Sequence, residues 1–120
     1  MKGGFAIEDD VSVNSTGESY VAWNWDMGAN SPTAFGCVTW KGNGGTQSIA
    51  TGVDLSGGNE GLVWIKGRDS GGFSHHLFDT VRGATKYIKS DATNAEQTDS
   101  NMLTGFTSTG FNLGSAAATN

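Results

Sequence analysis

The chain has 120 residues, 36% of them hydrophobic and 10% aromatic, which suits one domain with one core and argues against a disordered segment. Its formal net charge is −5 and its seven basic residues are scattered, which argues against nucleic acid as a partner, since phosphate binding needs clustered Lys and Arg. No apolar run approaches the roughly 18 residues of a membrane-spanning helix, and the opening "MKGGFAIEDD" lacks the apolar region of a signal peptide.

Nineteen glycines against one proline imply many tight turns, and the abundance of Thr, Ser and Asn over helix formers predicts short β-strands. Near the start, Glu8-Asp9-Asp10 are carboxylates of the kind that hold calcium. The Asp-x-Asp-x-Asp-Gly spacing is missing, so they are read as a solvated acidic turn and no metal is expected. Asn14-Ser15-Thr16 fits a glycosylation acceptor by pattern and is read as a polar hairpin. In "SYVAWNW", Ser19 to Trp25, alternation puts Val21, Trp23 and Trp25 on one face and Tyr20, Ala22 and Asn24 on the other. A buried tryptophan removes about 150–250 Å² from water, so the paired rings are read as one wall of a core.

A linker, "DMGANSPTA", leads to "AFGCVTW", Ala34 to Trp40, expected as a strand with Phe35, Cys37 and Thr39 on one face. Cys37, the single cysteine, has no internal disulfide partner and is expected to be a buried, inert thiol. "GLVWIKG", Gly61 to Gly67, is apolar on both faces, which predicts a central strand with Trp64 in the core. "HHLFDTV", "ATKYIKS" and "MLTGFTSTGFNLG" supply further strands, separated by the turn clusters "GNGG", "SGGN" and "DSGG". The polar stretch Asp91 to Asn101 is expected as a loop. The fold class that follows is all-β, an antiparallel β-sandwich or jelly roll of two sheets.

The chemistry of the remaining candidates is modest. His75 and His76 are neighbours, so on a strand they face opposite ways and cannot readily share an ion; one buried and one exposed ring is expected. Asp79 and Arg82 are read as a structural pair that fixes the turn at Gly83. "GFSHH" lacks the last glycine of a nucleophile elbow, and "GNGGTQ" lacks the Gly-Lys-Ser/Thr end of a phosphate loop. No catalytic set and no cofactor is expected. The ends of the chain resemble each other: "GFAIEDDVSVN" (Gly4 to Asn14) aligns with "GFNLGSAAATN" (Gly110 to Asn120) at an offset of 106, with three identities in eleven positions.

At "WKGNGGTQSIATG", "LVWIKGRD", "HHLFDTVRGATKYI", "TGFNLGSAAATN" and "STGESYVAWNW" the chain resembles the repeat domains of phage structural proteins, above all tail-fibre and appendage proteins of marine phages. The block "LFDTVRGATKYI" is the most specific part. The resemblance implies a concanavalin-A-like (laminin-G-like) β-sandwich and a place in the virion, made in the host cytoplasm, with copies of itself or other virion proteins as partners. In such units the Tyr-Val-Ala-Trp strand closes the domain, whereas here it opens the chain. The implied layout is an N-terminal strand segment over 1–25, a linker over 26–34 and a sandwich body over 35–120. Strand residues Phe5, Ile7, Tyr20, Val21, Trp23 and Trp25 would complete the sandwich in cis or in trans. In a lectin-like fold a host-surface glycan is the rival ligand, with Trp40, Asn43, Gln47, Arg68 and Asp69 as its lining.

Overall fold

The structure, a computed structural model, describes residues 6–7, 11–21, 35–69 and 71–120. Among them, seven strands form two antiparallel sheets. β1 (Gln47–Ala50), β7 (Gly110–Leu113) and β6 (Leu103–Thr107) make a three-stranded sheet in the order β1-β7-β6. β2 (Leu62–Ile65), β3 (His76–Asp79), β4 (Lys86–Lys89) and the two-residue β5 (Gln97–Thr98) make a four-stranded sheet in chain order. The described residues are all-β apart from one helical turn, α1 (Val11–Asn14).

Alternation fixes which side chains meet. Val63 and Ile65 of β2, His76 and Phe78 of β3, and Tyr87 of β4 point inward, while Ile49, Leu103, Phe111 and Leu113 answer them from the other sheet. Leu55 and Met102 close this core from the connections. The pairs Val63↔Phe78 and Ile65↔His76 stand opposite in the β2–β3 register, and cross-strand neighbours of this kind are the unit that stabilises a sheet.

The β6–β7 hairpin pairs Thr107 with Gly110 across Ser108 and Thr109. Gly110 has φ of 153°, and a Cβ built there would lie 2.1 Å from the Ile49 carbonyl oxygen. Only glycine lets β7 approach β1 at this point.

The structure corrects several expectations. Trp64 is 53% exposed and Leu62 is 59% exposed, because β2, at the end of its sheet among the described residues, buries Val63 and Ile65 and turns the alternate residues outward. An apolar run on both faces had suggested a central strand. Cys37 is exposed, and residues 35–40 form no ladder. The stretch expected to be all loop contributes β5, which pairs with β4 through Lys86↔Thr98 and Tyr87↔Gln97. Of the N-terminal segment 1–25, residues 6–7 and 11–21 are described, with α1 as their one regular element. Ile7, Tyr20 and Val21 are exposed, and Asn14 ends a helical turn rather than opening a hairpin. Phe5, Trp23, Trp25, the acidic residues Glu8 to Asp10 and the 26–34 linker lie outside the described residues.

His76 is the buried member of the histidine pair, 3% exposed, with its ring edge-on to Tyr87 at 5.2 Å. Its Nδ1 has no hydrogen-bond partner among the described residues. Burial pushes its pKa down, and the Lys89 cation adds to that effect. The unfolded chain therefore binds the proton more readily than the folded one, so stability is lost as pH falls through the ordinary histidine value of about 6.5.

This packing has measurable consequences. Gly110→Ala is expected to lose about 2 kcal/mol or more, because a Cβ must displace β1 backbone; an unchanged urea midpoint would contradict the close approach. The wild type is expected to lose melting temperature between about pH 7 and 5 and His76→Phe to remove that decline, while a parallel pH profile in both proteins would rule out His76 as its source.

Candidate functional site

Two hollows among the described residues border the core, and both touch Trp40. The smaller, about 290 Å³, is lined by Trp40, Ile65, Lys66, Arg68, Asp69 and Phe73 together with the C-terminal turn. The larger, about 860 Å³, is a groove bounded by Phe35, Cys37, Val38, Leu55, Leu62 and Trp64, with Phe111 at its floor. It runs along β2, which pairs with β3 on one side and with no described strand on the other.

The five candidate glycan residues separate in space. Trp40, Arg68 and Asp69 line the smaller hollow, and Asn43 and Gln47 do not. Asn43 and Gln47 instead hold Asn120. The Asn43 backbone N–H donates to Asn120 Oδ1 at 3.0 Å, and Gln47 Nε2 donates to the same oxygen. Asn120 Nδ2 donates in turn to the carbonyls of Gly45 at 2.5 Å and Gly114 at 2.7 Å and to Asn43 Oδ1 at 3.2 Å. These groups satisfy one another, a structural clasp rather than a waiting ligand site. The turn that delivers Asn120 is helical in character, with the N–H groups of Thr119 and Asn120 both donating to the Ala116 carbonyl.

Trp40 is not a free stacking platform either. Its Nε1 donates to the Thr119 carbonyl at 3.1 Å, and its ring stands edge-on to Phe111 at 5.8 Å. The half-buried indole therefore packs on the core while also lining both hollows. Of the two described tryptophans the exposed one is Trp64, whose Nε1 donates to His75 Nδ1 at 2.9 Å. That bond holds the ring on the outer face of β2, level with Leu77 of β3 and Ile88 of β4. Reading the sequence face by face missed it; the tandem histidine was the available signal, since one of the two had to face outward beside Trp64.

Asp79 and Arg82 do meet. Arg82 Nε lies 2.5 Å from Asp79 Oδ2, and the Arg82 backbone N–H donates to Oδ1 at 2.8 Å. The pairing is therefore one guanidinium nitrogen plus one amide, not the two guanidinium nitrogens of a bidentate fork. Those donors, the Arg82 amide first, hold the Asp79 carboxyl below its usual range. The Gly83 N–H donates to the Asp79 carbonyl, with Gly83 at φ of 90°, so Asp79 ties the turn from both ends. Among the described residues no group of three His, Cys, Asp or Glu side chains is placed to hold a metal, and no helix is long and apolar enough to cross a membrane.

Fold and site together define an all-β unit of two antiparallel sheets with an open groove along one edge. Residues 30–120 match the model of a family described as a domain of unknown function, DUF7483, and the chain belongs to that family. Neither the curated proteins nor the solved structures contain a match to it.

Because Trp40 serves the core, Trp40→Ala is expected to cost about 3 kcal/mol, whereas Arg68→Ala and Asp69→Ala, both at exposed positions, should stay within about 0.5 kcal/mol of wild type. Calorimetry on the three variants checks this, and a stable Trp40→Ala protein would remove Trp40 from the core.

Proposed function

We propose that the chain is a non-enzymatic structural module of a phage virion, from a tail fibre, an appendage or the capsid surface. It works by packing β-sandwich units against copies of itself or other virion proteins. The resemblance of its strand blocks to phage repeat domains supports this reading, and so does its two-sheet architecture. One observation carries it: edge strand β2 leaves Leu62 and Trp64 more than half exposed beside an apolar groove. Exposed apolar surface of this kind, on a strand whose edge no described strand covers, marks an interaction surface. Neutral Thr, Ser and Asn side chains elsewhere suit an outer surface that stays soluble while its edges associate.

A second reading has its own observation. Trp40, Arg68 and Asp69 converge on the smaller hollow, where a sugar ring would meet an indole edge and two charged hydrogen-bonding groups. A glycan array probed with wild type and with Arg68→Ala and Asp69→Ala addresses it, since these variants keep the core intact. Reproducible binding lost in both would favour a lectin-like role.

The structural reading predicts that the full chain self-associates between about 1 and 100 μM, the range of moderate interfaces, and that Leu62→Ser with Trp64→Ser shifts it toward monomer. Light scattering after size exclusion decides, and a monodisperse monomer at the highest concentration would sink the reading.

A further inference from the structure

The larger groove has the form of a strand-binding cleft. On one side lies the edge of β2, unpaired among the described residues, whose backbone can take a further strand by β-augmentation. Phe35 to Val38 also line the groove, together with the buried apolar side chains of Leu55, Val63 and Phe111. A strand entering here would pair with β2 and drop every second side chain into a space of about 860 Å³, room for large aromatic residues.

The sequence contains one segment of that description. Tyr20 to Trp25 alternates so that Val21, Trp23 and Trp25 share a face, and it carries no charge. It lies before residue 30, outside the part of the chain that matches the family. None of the described residues before Phe35 lines the groove. Val21, within the segment, is 76% exposed in its own chain.

We propose that the groove along β2 is a docking site for the Tyr20–Trp25 strand of a second copy of this chain, with Val21, Trp23 and Trp25 seated inward. The contact is heterologous, because a strand of one copy meets a groove of the next, so it propagates into a filament or closes into a ring. It rests on the assembly reading above and specifies the surface and the partner.

Cys37 supplies the test, since it is exposed, lines the groove and is the single cysteine. In the full-length chain carrying Val21→Cys, a short bis-maleimide should join the introduced thiol of one copy to Cys37 of another and give a ladder on a denaturing gel. Wild type, with one thiol per chain, should yield far less product. Adding Trp23→Ser and Trp25→Ser should slow the ladder about tenfold or more, as losing two buried indoles would. Thermal unfolding of each variant confirms that it is folded. Rapid joining within one chain, both thiols consumed without a size change, would overturn the second copy as occupant. Association in light scattering without any joining of positions 21 and 37 would overturn the groove as the site and leave the assembly reading standing. A chain that neither associates nor cross-links would end both.

Discussion

Strand β7 pairs with β1 on one side and β6 on the other, so the three-stranded sheet exists through this strand alone. Phe111 and Leu113 are its inward residues, 3% and 1% exposed, and they face the strands of the second sheet across the core. The constraint on β7 is steric before it is hydrophobic. Gly110 lies against the backbone of Ile49, and Gly114 lies against the backbone of Asn101, where a Cβ would sit 2.5 Å from the carbonyl oxygen. Beyond Gly114 the chain turns, and the Asn120 side chain bonds to Asn43, Gly45 and Gln47 of the 43–47 loop and back to the Gly114 carbonyl. The clasp at one end of β7 and the tight hairpin at the other fix its register, and a one-residue slip would turn Phe111 and Leu113 out of the core.

The second sheet is held differently. Its hairpins run in chain order, and its turn from β3 to β4 is tied by Asp79 through Arg82 and Gly83. Thr85, just before β4, has φ of 71°, an unusual value for a β-branched residue. Its N–H donates to the Leu103 carbonyl and its own carbonyl accepts from the Asp99 N–H, so long-range bonds hold it there. What this sheet lacks, among the described residues, is a cover for its first edge. The two described tryptophans mark the contrast: Trp40 is bonded into the core, while Trp64 is bonded outward to His75.

Much of this was legible in the sequence, for physical reasons. The segments that became β2, β3, β4, β6 and β7 carry period-two or continuous apolar patterns with β-branched and aromatic residues, and the glycine clusters between them became turns. β1 was not legible, because Gln47-Ser48-Ile49-Ala50 offers one strongly apolar side chain. β5 was hidden in polar sequence, since its strand character comes from β4 beside it. Trp64 misled because hydrophobicity on both faces reads the same for a central strand and for an edge strand with a sticky outer face. The Asn43, Gln47 and Asn120 clasp spans 77 residues in sequence from Asn43, and no local pattern signals such a contact. Of the candidate site, the convergence of Trp40, Arg68 and Asp69 was legible; the use of Asn43 and Gln47 as clasp partners was not.

The geometry around β7 sets a limit on the likeness between the two ends of the chain. Asn14 ends a helical turn, as Asn120 ends a turn with helical hydrogen bonding, so the shared Asn falls at the same kind of local structure. The pattern breaks one step after the strand. Gly114 corresponds to Glu8 at the offset of 106, and Gly114 is the position where backbone of Asn101 leaves no room for a Cβ. A glutamate cannot occupy it without pushing that backbone aside. The segment from Gly4 to Asn14 is therefore related to β7 in pattern but is not interchangeable with it in this sheet. The obstacle at Gly114 concerns the place of β7 alone, and among the described residues the sheet edge that no strand covers is that of β2.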